Sequence, residues 1–427
     1  MEAKSFYLLT LGCPKNISDS DDLRNSLIKE GFNQVNEPGL ADLILINTCG
    51  FIEDAKKESL DEIFRLIELK RHPQELVVFG CLSERYMEEL RREIPEIDAL
   101  YGVDAISDIV KRVSKQKSDT DAPSPIVYTR ENTYGYIKIA EGCNRKCSFC
   151  AIPSIRGHYR SIAPGLILEK AKGLIAQGVR ELILVAQEST LYGTDLNGYD
   201  LCDLVDDITS IEGDFRVRIH YFSPYSLKDE LIDRIGKNDK ICKYIDIPLQ
   251  HVSPEILQSM KRGGGAEEFF KLIEKIRASI PDVTLRTTFI VGYPGEGERE
   301  FEKLLDFVEA ARFDHLGGFL YSCEEGTAAW ELGDPVPREI KEKRYHELMS
   351  LQERIGLEKN LQYVGKTLRV LIDETDGNSP VGRHEGQSPE IDGLTIINTD
   401  RSGLRRGDFY NVLITGADEY DLYGELR

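Results

Sequence analysis

Cysteines 143, 147 and 150 fall inside "EGCNRKCSFCAIP", residues 141–153, with the spacing CxxxCxxC and no fourth Cys or His directly behind. A structural zinc site takes four ligands and usually shows two CxxC-like pairs. Three thiolates instead suit a four-iron four-sulfur cluster with one iron left open. An open iron can chelate an amine and a carboxylate, the head of a methionine. Through it a reduced cluster could pass one electron to S-adenosylmethionine (SAM) and split it into methionine and a 5′-deoxyadenosyl radical. The alternative is a zinc loop completed by a distant ligand such as His158, a spacing outside the usual patterns.

Three more cysteines, Cys13, Cys49 and Cys81, close the apolar runs "FYLLTLGC", "LILINTCGF" and "ELVVFGCLS". In open parallel sheets ligands gather outside the carboxyl ends of the strands, so these thiols could converge. Burial as small hydrophobes is the competing reading. Cys202, Cys242 and Cys323 lie in helix or strand patterns without partner spacing, and core packing is expected of them.

The elements that must hold these residues follow from periodicity. Residues 1–118 alternate short apolar strands with amphipathic helices over 18–30 and 54–70, the pattern of a flavodoxin-like parallel α/β domain. The polar, proline-bearing "KQKSDTDAPSP", residues 115–125, reads as a linker. Six strand-like runs follow: "YGYIKIA", "ELILVAQES", "RVRIHYFSP", "YIDIPLQ", "LRTTFIVGYPG" and "HLGGFLYS". Helical patterns over 164–177, 227–235, 267–279 and 298–311 separate them. Six βα units predict an open (β/α)6 partial barrel over 130–358, with its site at the carboxyl ends of the strands. A charged helix over 338–362 leads to alternating runs in 360–427, "KTLRVLIDE", "LTIIN" and "FYNVLITGADEYDLYGEL", which predict a small β-barrel-like module.

Composition narrows the function. The chain has 427 residues, 30% of them charged, and a formal net charge of −20. That charge disfavours a protein that grips nucleic acid by a basic surface and favours a basic partner or a small substrate. No apolar run has the length of a membrane span, and "MEAKSFYLLTLGC" lacks a basic stretch followed by a cleavage site. A cytoplasmic protein is expected, whose thiols stay reduced and available as ligands.

Residues 141–153 resemble the cluster loop of the radical SAM superfamily, and "GCNRKCSFCAIP" with "IRGHYRS" is similar to its methylthiotransferase branch. The resemblance implies that Phe149 packs near the adenine of SAM. "LVAQES" resembles the second-strand motif, which would set Gln187, Glu188 and Ser189 near the methionine part. "TTFIVGYPGE" resembles the segment that passes the adenine, implicating Thr288, Val291 and Gly292. "LGCPKN", "NTCGF" and "FGCLSE" are similar to the methylthiotransferase N-terminal domain, in which the three strand-end cysteines carry a second cluster. The family thus implies two [4Fe-4S] clusters. The radical made at the first removes a hydrogen, sulfur is carried on the second, and a second SAM supplies the methyl group. No general base is identified; His220, Tyr221 and His251 are candidates by position alone, with packing the plainer role.

Methylthiotransferases act either on a tRNA adenosine or on an aspartate of a ribosomal protein. The last module resembles a TRAM domain, often an RNA grip, yet residues 364–427 hold 7 Lys plus Arg against 12 Asp plus Glu, a net of −5. Phosphate binding asks for the opposite sign. "GRHEGQSPEIDG", residues 382–393, and "IPSIRGHYRS" resemble the ribosomal-protein aspartate branch. This implies a methylthio group placed on the β-carbon of an aspartate in protein twelve of the small subunit, with an outside electron donor; nothing in the sequence asks for more than a monomer. Asp373, Glu374, Asp376, Glu385, Glu390 and Asp392 are expected to form an acidic face for the basic partner. The rivals are a tRNA adenosine methylthiotransferase and a non-catalytic iron–sulfur sensor that binds RNA.

Overall fold

The computed structural model describes residues 4–114, 132–376, 379–398 and 403–427, so the stretch read as a linker lies outside the described residues. The chain divides into two compact units. The first holds the N-terminal segment with residues 136–145 and 150–162; the second holds most of the remainder.

In the first unit β1 (Ser5–Thr10), β2 (Asn33–Gln34), β3 (Leu43–Thr48), β4 (Glu75–Gly80) and β5 (Ala99–Leu100) form one parallel sheet. Its order, β2-β1-β3-β4-β5, is the flavodoxin-like one. The residues of β3 are all buried, and their alternation feeds two cores. Leu43 and Leu45 join Phe6, Leu23, Leu27 and Ile109 on one face. Ile44 and Ile46 join Ile63 and Leu66 on the other. A sheet covered on both sides needs this continuous apolar run.

The flanking helices include α1 (Pro14–Lys29), α2 (Glu53–Leu69), the short α3 (Cys81–Arg85) and α4 (Met87–Glu93), and α5 (Ile106–Ser114). Helix α1 starts four residues before its predicted first turn. Pro14 opens it, and a proline at that position lacks only an N–H that would be unbonded anyway.

Beyond β6 (Tyr134–Lys138), the pair β7 (Ala140–Glu141) and β8 (Arg160–Ser161) is antiparallel and brackets α6 (Ile152–Arg156). Ala151 and Ile155 there pack with Cys81 and Val103.

The second unit carries β9 (Glu181–Val185), β10 (Arg216–Ile219), β11 (Tyr244–Gln250), β12 (Thr284–Val291) and β13 (His315–Leu320). The opening of β6 with β9 and β10 makes one three-stranded sheet, and β11-β12-β13 another. A single bridge, Val217 to Ile241, and the Phe222 N–H donating to the Asp246 carbonyl connect them. Among the described strands β13 pairs only with β12, so the six-stranded arrangement is open, as predicted.

A helix over Arg338–Asn360 leads to a closed barrel of β14 (Thr367–Glu374), β15 (Val381–Arg383), β16 (Thr395–Ile397), β17 (Phe409–Ala417) and β18 (Leu422–Leu426). Val370, Ile372, Val412, Ile414 and Leu422 fill it. The long run 409–426 is two antiparallel strands, and the short β15 gives no alternating signal of its own.

Candidate functional site

Strands β1, β3 and β4 lie side by side, and each cysteine stands just past a strand end. Cys13 caps α1 in extended conformation, Cys49 follows β3, and Cys81 opens α3. Two glycines permit the approach. Gly12 has φ +91, and a Cβ on it would stand 2.7 Å from the Cys49 Cβ. At Gly80, φ +101, a Cβ would meet the Asn47 Oδ1 at 2.3 Å. Burial pushes the Cys49 thiol up to about 12, against a backbone hydrogen bond from Phe51 and helped by repulsion from Cys13 and Cys81. Burial raises Cys81 as well, against the pull of Arg156, and Cys13 adds to the rise. The three sulfurs are therefore within electrostatic reach of one another, Cys13 exposed and the other two buried.

Beside them, in the same unit, is a buried polar network that sequence reading did not foresee. The Arg156 Nη2 donates to the Cys81 Sγ at 3.3 Å and to the Asn16 Oδ1 at 2.6 Å, while its Nη1 donates to the Asp19 Oδ2 at 2.9 Å. Lys15 donates to the Glu141 Oε1 at 2.6 Å, and Lys138 bonds both Asp19 and Glu141. Burial lowers Lys15 to about 8 in spite of Glu141. Burial would raise Glu141, but Lys15, Lys138 and Arg156 hold it well below the usual carboxylate range. The signal was present in the motifs: Lys15 sits in "LGCPKN" and Arg156 in "IRGHYRS".

In the CxxxCxxC loop, Gly142 has φ +76, and a Cβ on it would meet the His158 carbonyl oxygen at 2.2 Å. The Cys143 N–H donates to the Gly157 carbonyl at 3.1 Å, and the Cys143 Sγ accepts the Arg145 N–H at 3.4 Å. His158 pairs with Asn144 through its Nδ1. Within the second unit the Cys147 Sγ accepts the Arg262 Nη1 at 3.7 Å, and Ser148 is tied to Met260, Ser259 and Tyr293. Among the described residues no three Cys, His, Asp or Glu side chains stand as ligands of one metal ion. A four-iron cluster takes each thiolate on a different iron, so its ligands stand farther apart. N–H donors aimed at Sγ atoms and two buried thiols fit such a group.

The residues expected at SAM sit near the carboxyl ends of β9 and β12. Phe149 packs against the cluster of Ile256, Met260, Ile290, Tyr293 and Tyr321, which brings it to the end of β12. Gln187 is half-buried. The buried Glu188 accepts the Ser226 hydroxyl at 2.8 Å, and the Ser189 Oγ donates to the His220 carbonyl at 2.6 Å. Thr288 lies opposite Gly317. Val291 is buried and ends β12; the Gly292 N–H donates to the Glu296 Oε1 at 2.9 Å. Cys202 and Cys242 are buried, and Cys323 packs partly buried beside the Phe149 cluster.

His220 is fully buried, lowered to about 3 mainly by burial, and paired with the Ser388 hydroxyl at 2.9 Å. His251 is buried beside Glu296 at 3.3 Å. Both have packing partners.

The expected acidic face is corrected at Asp392. Asp392 is turned inward, accepting from the Arg286 Nη1 at 3.0 Å, the Tyr244 hydroxyl at 2.7 Å and the Ser388 N–H at 3.0 Å. Asp373 binds Arg383, whose Nη1 also reaches the Glu181 Oε2 at 2.6 Å. Glu385 accepts the Lys243 N–H and Glu390 the Tyr134 hydroxyl. Asp392 and Asp373 are thus committed within their own unit, whereas Glu374, Asp376, Glu385 and Glu390 are exposed, as expected.

Comparison with known proteins gives the family. Residues 137–308 match the radical SAM superfamily, residues 5–102 the uncharacterized protein family UPF0004, and residues 364–426 the TRAM domain. The chain is 48% identical to the ribosomal protein uS12 methylthiotransferase RimO of Thermodesulfovibrio yellowstonii, over 99% of this chain and 100% of that one. It is 43% identical to the RimO of Aquifex aeolicus, over 98% of this chain and 96% of that one. Among solved structures, the radical SAM methyltransferase TsrM of Kitasatospora setae shares the fold, with a TM-score of 0.58 at 13% identity over 88% of this chain and 82% of that one.

Proposed function

The chain belongs to the family of ribosomal protein uS12 methylthiotransferases, and from that premise we propose that it adds a methylthio group to the β-carbon of an aspartate in uS12, using SAM and two [4Fe-4S] clusters. The observation that carries the reading is the end-to-end likeness, 48% over 99% of the chain. Convergence of Cys13, Cys49 and Cys81 at one sheet edge supports the second cluster.

Cys143, Cys147 and Cys150 would hold one cluster, which would supply the electron for splitting SAM; Cys13, Cys49 and Cys81 would hold the other, which would supply a seat for sulfur. The chain's own residues do the rest. Arg156, itself buried, donates to the Cys81 sulfur, and Arg262 donates to Cys147. Such donors favour the thiolate over the thiol. Phe149, Thr288, Val291 and Gly292 would flank the adenine of SAM, and Gln187, Glu188 and Ser189 would orient its methionine part. An outside one-electron donor completes the system, and the protein works as a cytoplasmic monomer. No helix among the described residues is long and apolar enough to cross a membrane.

The test is anaerobic. The reconstituted protein, SAM and a reductant are offered uS12 and tRNA side by side, and mass spectrometry shows which gains the methylthio group. Gain on the uS12 aspartate is expected. Gain on tRNA would keep the chemistry and overturn the substrate.

A further inference from the structure

Strands β12 and β13 pair Arg286 with His315, Thr288 with Gly317 and Ile290 with Phe319. Alternate residues of a strand share a face, so these six form one wall. At its upper end Ile290 belongs to the cluster that packs Phe149 of the cysteine loop. Arg286 lies four residues below, roughly 13 Å along the strand. Its Nη1 is committed to Asp392, and its Nε stands 3.9 Å from the Asp246 Oδ1. Its Nη2 has no hydrogen-bond partner among the described residues, and the side chain keeps 14% of its exposure.

Gly317 is the second observation. Glycine inside a strand weakens it and often marks close approach of a ligand. Its φ is not positive. A Cβ there would stand 3.4 Å from the Arg286 Nη2, 3.6 Å from the Thr288 Oγ1 and 3.8 Å from the Phe319 ring, all ordinary contacts. Gly318 is different: a Cβ there would press to 3.1 Å on Met349 and Tyr345. Packing explains Gly318, and no protein atom requires Gly317. The bare position faces the Nη2, between Thr288 and a Phe319 that is 50% exposed.

We infer that the Arg286 Nη2 receives the carboxylate of the substrate aspartate, and that Gly317 leaves the space through which this side chain reaches it. The inference rests on the function proposed above. An aspartate carboxylate is one bond from the β-carbon, so a charge-assisted hydrogen bond to it fixes the reacting atom. Arg286 is thus a specificity-determining residue at the foot of the wall, away from the cluster loop.

The experiment compares the reconstituted enzyme on uS12 and on uS12 carrying asparagine at the target position. Wild type should prefer aspartate. Arg286→Gln should lose about a hundredfold in kcat/KM on the aspartate substrate and accept both forms alike; retention of the wild-type preference would overturn the assignment. Because Arg286 also holds Asp392, Gly317→Ala provides a variant without a lost bond. Its thermal midpoint should equal or exceed that of wild type, its KM for uS12 should rise tenfold or more, and its KM for SAM should not move. Unchanged kinetics, or a rise in the KM for SAM instead, would overturn the inference. Absence of any methylthio product from wild type would overturn the function itself.

Discussion

The two cysteine triplets are built on opposite principles. Cys143, Cys147 and Cys150 come from eight consecutive residues, shaped by a positive-φ Gly142 and by N–H donors to Cys143 and Cys147. Cys13, Cys49 and Cys81 come from three separate strands, and only the parallel sheet brings them to one edge. The first set is written in spacing and the second in topology. A local loop can leave one iron open to a small ligand. A set braced by a sheet and a buried Arg156 network is suited to a group that must stay in place.

Substitutions can break that contrast. Replacing Cys143, Cys147 and Cys150 by Ala should reduce SAM cleavage to background, measured as 5′-deoxyadenosine. Cys13→Ala with Cys49→Ala and Cys81→Ala should leave SAM cleavage in place while no methylthio product forms; full product formation would deny these three their role. A smaller effect concerns the cluster-free protein. The thiolate is the species that alkylates, and Cys49 is raised from 9.0 to about 12. At pH 8 its alkylation in the folded chain should be about a thousandfold slower than in the unfolded chain. The folded rate should climb with pH up to about 12, and equal rates would contradict the burial account. Smallest is Arg156→Lys, which keeps a charge but loses the fork between Cys81, Asn16 and Asp19. A loss of about 2 kcal/mol is expected in denaturant unfolding. No side-chain change at residue 145 removes the corresponding bond to Cys143, since a backbone N–H makes it.

Much of this was legible in the sequence for physical reasons. Continuous apolar runs such as "LILINT" announce a sheet covered on both faces, and the observed order β2-β1-β3-β4-β5 agrees with the flavodoxin-like prediction. The six central strands fall on their predicted runs because each is short, apolar and bounded by helix. The barrel's β15 escaped because three residues carry no periodicity. Direction was what charge counting missed. Charge alone sets Asp392 on an outer acidic face, but Arg286, 106 positions away in sequence, draws it inward. Lys15 and Arg156 lie within recognisable motifs, but spacing gives them no role, because their acidic partners are more than a hundred residues away in sequence.

The central claim is that the chain holds two clusters on two independent cysteine sets. Iron and acid-labile sulfide per protein, with electron paramagnetic resonance of the reduced samples, should be measured on wild type and on both triple-alanine variants. Each variant should keep about half of the wild-type iron and show one signal of the two. A strand-end variant that keeps all of the iron, or a loop variant that loses all of it, would contradict the account.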